Sequence, residues 1–338
     1  MQKYKDEGWQ APNPAFLPLS SFAPFTLAPL HLCTVTLLHF CTLSLSESAF
    51  LFLLNCFPMF LGDIEVHYLD GGTFALDGGA MFGVVPKVFW EKKSPPDDRN
   101  RIRMRANSLL VRAHGKNILI ETGNGTKLDQ KKRAIYAVQD GDPLMDSLSR
   151  AGATPDDIDL VINTHLHFDH AGGNTRIVGD RVVPTFRNAR YVVQRGELEH
   201  AMNPTERDRA SYFEENFAPI SREGFWDLIE GDAEILPGIS VSRIPGHNAD
   251  IQAVTLTGGG RTLAFVADLL PARHHISLPW IMAYDLYPLQ TLETKRRWIP
   301  RLLADGAIVV FGHDPDVAAA TLHQVGDEIE VAAVDLNQ

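Results

Sequence analysis

Between Thr164 and Ala171 the chain reads His165-Leu-His167-Phe-Asp169-His170, which puts four ligand-type side chains into six residues. Neutral imidazole and ionised carboxylate are the ligands that Zn²⁺ and similar borderline divalent ions take. The preceding Asp159-Leu-Val-Ile-Asn163 reads as a buried strand running straight into Thr164. Just beyond, Ala171-Gly172-Gly173-Asn174 supplies small residues where backbone must pass close to such a site. A polar loop with surface histidines is the bland alternative. It explains a lone histidine well, but three histidines and an aspartate at one strand end badly.

Three later segments share this form, an apolar strand ending in one ligand-type residue: Val241-Ser-Arg-Ile-Pro-Gly-His247, Thr262-Leu-Ala-Phe-Val-Ala-Asp268 and Ala307-Ile-Val-Val-Phe-Gly-His313. Singly, Asp268 or His313 could be an ordinary loop residue. In this order after the first cluster, they read as the rest of a two-metal site gathered at strand ends. No Gly-x-Ser-x-Gly turn suggests a serine nucleophile instead.

The elements that must position these residues follow from hydrophobic pattern. Val- and Ile-rich runs predict strands at Ile64–Leu69, Ser108–Ala113, Asn117–Ile120, Ile158–Ile162, Arg190–Val193, Ile239–Ile244, Ala253–Thr257, Thr262–Val266 and Ala307–Phe311. His114-Gly115-Lys116 joins one hairpin, and the Gly258 to Gly260 run joins another. Apolar positions three or four apart predict helices at Asp142–Ala151, Arg195–Ala201, Glu206–Asn216 and Leu289–Leu303. The mixture is an α/β (α+β) protein with mixed or antiparallel sheets. Asp70-Gly-Gly72 and Asp77-Gly-Gly-Ala-Met-Phe-Gly83 read as an early hairpin loop able to overhang the metals.

The order His-x-His-x-Asp-His, then Pro-Gly-His, Ala-Asp and Gly-His resembles the metallo-β-lactamase-fold superfamily across residues 63–325. That resemblance implies an αββα four-layer sandwich with the metals at one edge. It implies that His165, His167 and His247 hold one metal, that Asp169, His170 and His313 hold the other, and that Asp268 bridges them. Glu121, in Ile118-Leu-Ile-Glu121-Thr122-Gly123, stands where the family usually has Asp. Its longer carboxylate can still accept a hydrogen bond from the ligand loop, so Glu121 and Thr164 are expected behind the ligands as supports.

The chemistry that follows is hydrolysis. Two divalent ions, Zn²⁺ the foremost candidate, would share a bridging hydroxide as nucleophile while Asp169 orients it. His167-Phe-Asp-His170-Ala-Gly-Gly-Asn174 looks like the quorum-quenching N-acyl-homoserine lactonase branch, and Met81, Phe82, Trp90 and Tyr284 are candidates for an apolar substrate pocket. Lactonases of the best-known type carry a Tyr shortly after the bridging Asp. Here Asp268 is followed by Leu269-Leu270-Pro271, and the nearest downstream tyrosines are Tyr284 and Tyr287. Phosphotriesterase-type and glyoxalase II-like thioester hydrolysis therefore stay open, as do a di-iron redox protein and a non-catalytic sensor. His167 stands where redox members usually carry Glu, and no ligand is missing as it would be in a sensor.

With a net charge of −11, 45% hydrophobic residues and no Lys/Arg stripe, a small-molecule substrate is expected and nucleic acid is not. The 45 residues from Asp268 to His313 leave no room for a nuclease's gripping domain. Residues 1–62 differ from the rest. They hold all three cysteines (Cys33, Cys41 and Cys56), and no charged residue occurs from Ala11 to Ser46. Either translation starts at Met59, or the segment is an export or anchoring signal, or it is a genuine extension. Residues 63–338 form the expected catalytic domain, with no membrane segment. A cytoplasmic location is expected, or an exported or anchored one if residues 1–62 are genuine. A homodimer is one assembly compatible with the sequence.

Overall fold

The computed structural model describes residues 58–337. The N-terminal half contains β1 (Met59–Leu61), β2 (Ile64–Asp77), α1 (Gly78–Phe82), α2 (Lys87–Trp90), β3 (Arg101–Ala113), β4 (Lys116–Ile120), α3 (Gln130–Tyr136) and α4 (Pro143–Arg150). There follow β5 (Leu160–Ile162), α5 (Phe168–Ala171), β6 (Thr175–Val178), β7 (Arg181–Pro184), β8 (Arg190–Gln194), α6 (Arg195–Met202), α7 (Ala218–Glu223) and β9 (Trp226–Ile229). The C-terminal half contains β10 (Ala233–Leu236), β11 (Ile239–Arg243), β12 (Gln252–Gly258), β13 (Arg261–Phe265), α8 (Pro288–Ala304), β14 (Ile308–Val310), β15 (Ala319–Val325) and β16 (Glu328–Val334).

One seven-stranded sheet runs β1-β2-β3-β4-β5-β8-β9, a second runs β10 to β16 in sequence order, and β6-β7 form a small hairpin. Period-two alternation decides which face is which. Leu109, Val111, Ile118 and Ile120 turn inward against Val241, Val254, Leu256 and Phe265 of the second sheet. Leu110 and Leu119 turn outward against Leu144 and Leu148 of α4. On the other side Trp298, Ile299 and Leu302 of α8 join the central core. Both sheets are thus covered on both faces, which is why their strands read as nearly continuous apolar runs. The result is the αββα arrangement.

The departures have local causes. β1 pairs with β2 and its Leu61 is buried, so the folded body includes residues from Met59, ahead of the expected start at Asp63. The remainder of the atypical segment, residues 1–57, lies outside the described residues. Asp70-Gly-Gly72 is a bulge inside β2 rather than a loop, with Gly72 at φ 99°. Glu206–Asn216 is turns ending in a short 3₁₀ segment, Glu214–Asn216, instead of a helix. There Asp208 is held by Thr205 and His200, Arg207 reaches Ala283, and the Ser211 carbonyl accepts from Phe168 N, so tertiary partners displace helical ones. No helix among the described residues is long and apolar enough to cross a membrane.

Candidate metal centre

Every ligand-type segment leaves the carboxyl end of a strand. His165, Asp268 and His313 each lie three residues past β5, β13 and β14, and His247 lies four past β11. β4 pairs parallel with β5, and β13 parallel with β14, so these ends share one edge of the sandwich. Glu121, just after β4, therefore lies beside Thr164, just after β5, and its Oε1 accepts the Thr164 amide at 2.7 Å. Close approach explains the small residues: a Cβ on Gly172 would meet Asn124 O at 2.2 Å, and one on Gly246 (φ 149°) would meet Thr291 Oγ1 at 2.4 Å. Two residues with side chains hold left-handed backbone here, Glu121 at φ 64° and Ala267 at φ 44°. Such strain persists only where the surroundings fix it.

Seven side chains converge in two groups. His165, His167, His247 and Asp268 form one, and Asp169, His170 and His313 form the other, each with its donor atoms within 4.8 Å of one another. Asp268 faces both. Its Oδ2 lies 3.2 Å from His247 Nε2 and 3.9 Å from His165 Nε2, while its Oδ1 lies 3.1 Å from His313 Nε2 and 3.5 Å from His170 Nε2.

Partners behind the rings decide which nitrogen faces inward. Nδ1 of His247 meets Asp285 Oδ1 at 2.9 Å, Nδ1 of His313 meets the Arg105 carbonyl at 3.1 Å, and Nδ1 of His170 faces Glu121 Oε2 at 3.5 Å. For His247 and His313 the acceptor favours the proton on Nδ1 and turns Nε2 inward. Yet His170 Nε2 and His313 Nε2 sit 2.9 Å apart, and His247 Nε2 sits 3.0 Å from His167 Nδ1. Among the described residues, the buried Nε2 atoms of His165 and His167 have no hydrogen-bond partner. Lone pairs converging at this distance are what a cation satisfies.

The charges agree. Asp169, Asp268, Glu121 and Asp285 are four buried carboxylates, and among the described residues no Lys or Arg is ion-paired to them. Burial, with the neighbouring imidazoles, presses His165 and His167 well below the usual histidine range, so both stand as neutral bases. Burial also opposes charge on His170, but the Asp268, Asp169 and Glu121 carboxylates outweigh it and raise that ring well above its usual range. For Asp268, burial is outweighed by His313, His247 and His170, which hold its carboxyl well below the carboxylate range. Negative charge exceeds what the histidines neutralise, and a pair of divalent ions fits the donor set.

Several supports carry no sequence signal. Asp285 Oδ2 accepts the Thr291 hydroxyl at 2.6 Å, clamping the loop behind His247. Glu197, in the first turn of α6, accepts the Leu166 amide at 2.8 Å and the Tyr212 hydroxyl at 3.1 Å. Tyr212 in turn packs on His167 at 4.6 Å between ring centroids. Thr164, expected here from the sequence, is buried with its hydroxyl 3.1 Å from His165 Nδ1.

A cavity of about 130 Å³ opens over the two groups, with His167, Asp169, His247, Asp268 and His313 in its floor. Leu76, Met81, Met104, Tyr136, Phe168, Met282 and Tyr284 are among its walls. Of the expected pocket residues, Met81 and Tyr284 line it. Phe82 and Trp90 do not, contrary to expectation: their rings stack at 5.4 Å in the core behind α1, and a Cβ on Gly78 would already meet Trp90 at 2.5 Å. Tyr287 is 47% exposed and does not line the cavity.

Known proteins agree with this construction. Residues 101–313 match the family described as the metallo-beta-lactamase superfamily. The chain is 29% identical over 212 residues to an N-acyl homoserine lactonase of Bacillus thuringiensis, covering 58% of this chain and 76% of that one. It is 33% identical to a probable metal-dependent hydrolase from Staphylococcus aureus of known structure, with a TM-score of 0.76 over 82% of this chain and 99% of that one. A dizinc quorum-quenching lactonase, AidC, shares the fold at 19% identity and a TM-score of 0.69, over 83% of this chain and 97% of that one. The chain belongs to the metallo-β-lactamase superfamily.

Proposed function

We propose that this protein is a two-metal hydrolase of neutral, apolar lactones or esters, with N-acyl homoserine lactones the first class to test and zinc the resident ion. The observation that carries this reading is the cavity, whose lining over the metal groups is mostly apolar and, among the described residues, includes no Lys or Arg. A β-lactam brings a carboxylate and a glutathione thioester brings two. Beyond the metals, either would lose its hydration against this wall without meeting a cationic side chain. The lactonases among its relatives support the acyl-lactone reading. A phosphotriester is also neutral, so the same lining keeps it as the second reading.

When bound, two divalent ions bring the pKa of water towards neutrality and polarise an acyl or phosphoryl oxygen. The chain's own residues do the rest. Asp169 lines the cavity with Oδ2 3.5 Å from His313 Nε2, placed to orient the attacking water and accept its proton. Burial raises the Tyr284 and Tyr136 phenols above the usual tyrosine range, so both stay protonated. Among the described residues neither hydroxyl has a hydrogen-bond partner, leaving both free to donate to an oxygen that gains charge. The apolar wall excludes water around them and takes the acyl group.

The test is a hydrolysis panel of acyl homoserine lactones, aryl esters, thioesters, β-lactams and phosphotriesters, run on metal-loaded protein and on Asp169→Asn and His247→Ala. Lactone or ester turnover that is lost on chelation and in both variants is expected. Turnover that survives chelation and both substitutions refutes the reading. Turnover of phosphotriesters alone selects the second reading, and tight ligand binding without turnover points to a sensor.

A further inference from the structure

Helix α8 turns three buried polar side chains towards the centre, and none of them reaches the metal groups. Thr291, Thr294 and Lys295 share one face, each at most 1% exposed. The threonines have clear employment around His247: Thr291 donates to Asp285, and Thr294 donates to the Pro245 carbonyl at 2.7 Å. Lys295 does not touch that turn. Its Nζ lies 2.7 Å from Ser277 O, 3.2 Å from Leu278 O and 3.0 Å from Trp280 O, so three donors meet three carbonyls.

Burying an amine is costly unless its hydrogen bonds are met. Burial pulls this one down to about 7, with the Asp285 carboxylate pulling the other way. Among the described residues, Lys295 is the one side chain that hydrogen-bonds the stretch 277–280. That stretch leads directly into Met282 and Tyr284, two walls of the cavity over the metals. Further along, Ala283 N donates to Ala80 O at 2.8 Å and Arg207 donates to Ala283 O at 2.6 Å, so the far side of the loop is tied to α1 and to the 203–213 loop. On the near side the Trp280 ring packs edge-on against Phe82 at 5.4 Å, and the hydrogen bonds to side chains come from Lys295. A second cavity of about 890 Å³, lined by Leu278, Trp280, Lys295, Ile299 and Ile329, lies against its outer surface. The loop therefore stands between two spaces and is tethered from α8 at one point.

We propose that Lys295 is a specificity-determining positioning residue, whose three hydrogen bonds hold the 277–284 loop and so set the width of the apolar cavity walled by Met282 and Tyr284. The proposal rests on the hydrolase reading only for its kinetic readout. The experiment compares metal-loaded wild type with Lys295→Met, an unbranched side chain one heavy atom shorter that removes every donor, and Lys295→Gln, which keeps two. In Lys295→Met, amide exchange in 277–284 should speed up about tenfold or more while 160–175 stays unchanged. Metal content should stay at the wild-type value. The ratio of kcat/KM for long-acyl over short-acyl substrates should shift about tenfold, through KM rather than kcat. Lys295→Gln should fall between the two, and it carries the same readouts if Lys295→Met does not fold.

Wild-type exchange in the loop together with an unchanged acyl-length ratio would overturn the proposal. Metal loss with a uniform fall in kcat would overturn it too, since Lys295 would then be acting through Asp285 on the centre. If the wild type hydrolyses nothing in the panel, the functional reading fails, and amide exchange still decides the tether.

Discussion

Replacing Asp285 by Asn or Ala separates the charge behind His247 from the shape of its support. The carboxylate holds His247 Nδ1 at 2.9 Å and the Thr291 hydroxyl at 2.6 Å, and both His247 and Asp285 are buried, so water does not screen the pair. A hydrogen bond to a charged acceptor contributes about 1.5–3 kcal/mol and a neutral one about 0.5–1.5. Asp285→Asn keeps an acceptor and loses the charge, a cost of about 1 kcal/mol. Asp285→Ala also leaves the Nδ1–H and the threonine hydroxyl unpaired, for about 2–3 kcal/mol. At about 1.4 kcal/mol per decade, metal affinity falls about fivefold in the first variant and about 30- to 150-fold in the second. The weakened site would be the group formed by His165, His167, His247 and Asp268. Chelator competition measures both sites, and melting with and without metal checks it independently, because a ligand of the native state stabilises in proportion to its affinity. Equal affinities in the two variants would refute the charge argument. Wild-type affinity in both would refute any role for Asp285.

Glu197 gives a pH test: burial pushes its carboxyl up to about 8, against the Leu166 amide and Tyr212 hydroxyl, which pull it down. Between about 4.5 and 8 the folded state keeps a proton that the unfolded state releases, so this group's contribution to stability declines as pH rises. Glu197→Gln removes that slope. Its denaturation midpoint relative to wild type, both metal-saturated, should rise from pH 5 to pH 8, and a constant difference contradicts the assignment. Tyr284→Phe should lower kcat about 100- to 1,000-fold with metal content unchanged, the range for losing one donor to a developing charge. A fall in metal content instead would place its role in structure. Gly246→Ala drives a Cβ into Thr291 at φ 149° and should lower both melting temperature and occupancy of the His247 site, read by calorimetry and metal analysis.

The seven converging residues were legible because a metal restricts what can hold it. Only a few side chains serve, they must stand where strands end, and the chain order survives in the sequence as His165 to His170, then His247, Asp268 and His313. The strands around them were legible for a related reason, since sheets covered on both faces leave long Val- and Ile-rich runs. Half-exposed strands such as β9 and β10 leave no such run and went unread. Supports are restricted far less. His313 is held by the backbone carbonyl of Arg105, which any residue would supply, so no residue type could have marked it. Glu197 looks like an ordinary charge in the first turn of a helix, and Asp285 like an ordinary loop acid, until the fold brings each beneath a ligand segment. The substrate wall is harder again. Met81 comes from α1, Met104 from β3, Tyr136 from α3, and Met282 and Tyr284 from one loop, and apolar side chains in these places differ little from Phe82 and Trp90, which fill the core. Chemistry that needs particular atoms is written locally, whereas selectivity depends on where common side chains and backbone come to rest. For that reason Lys295, which touches neither metal nor substrate, is a better place to look for control of substrate choice than another residue of the ligand cluster.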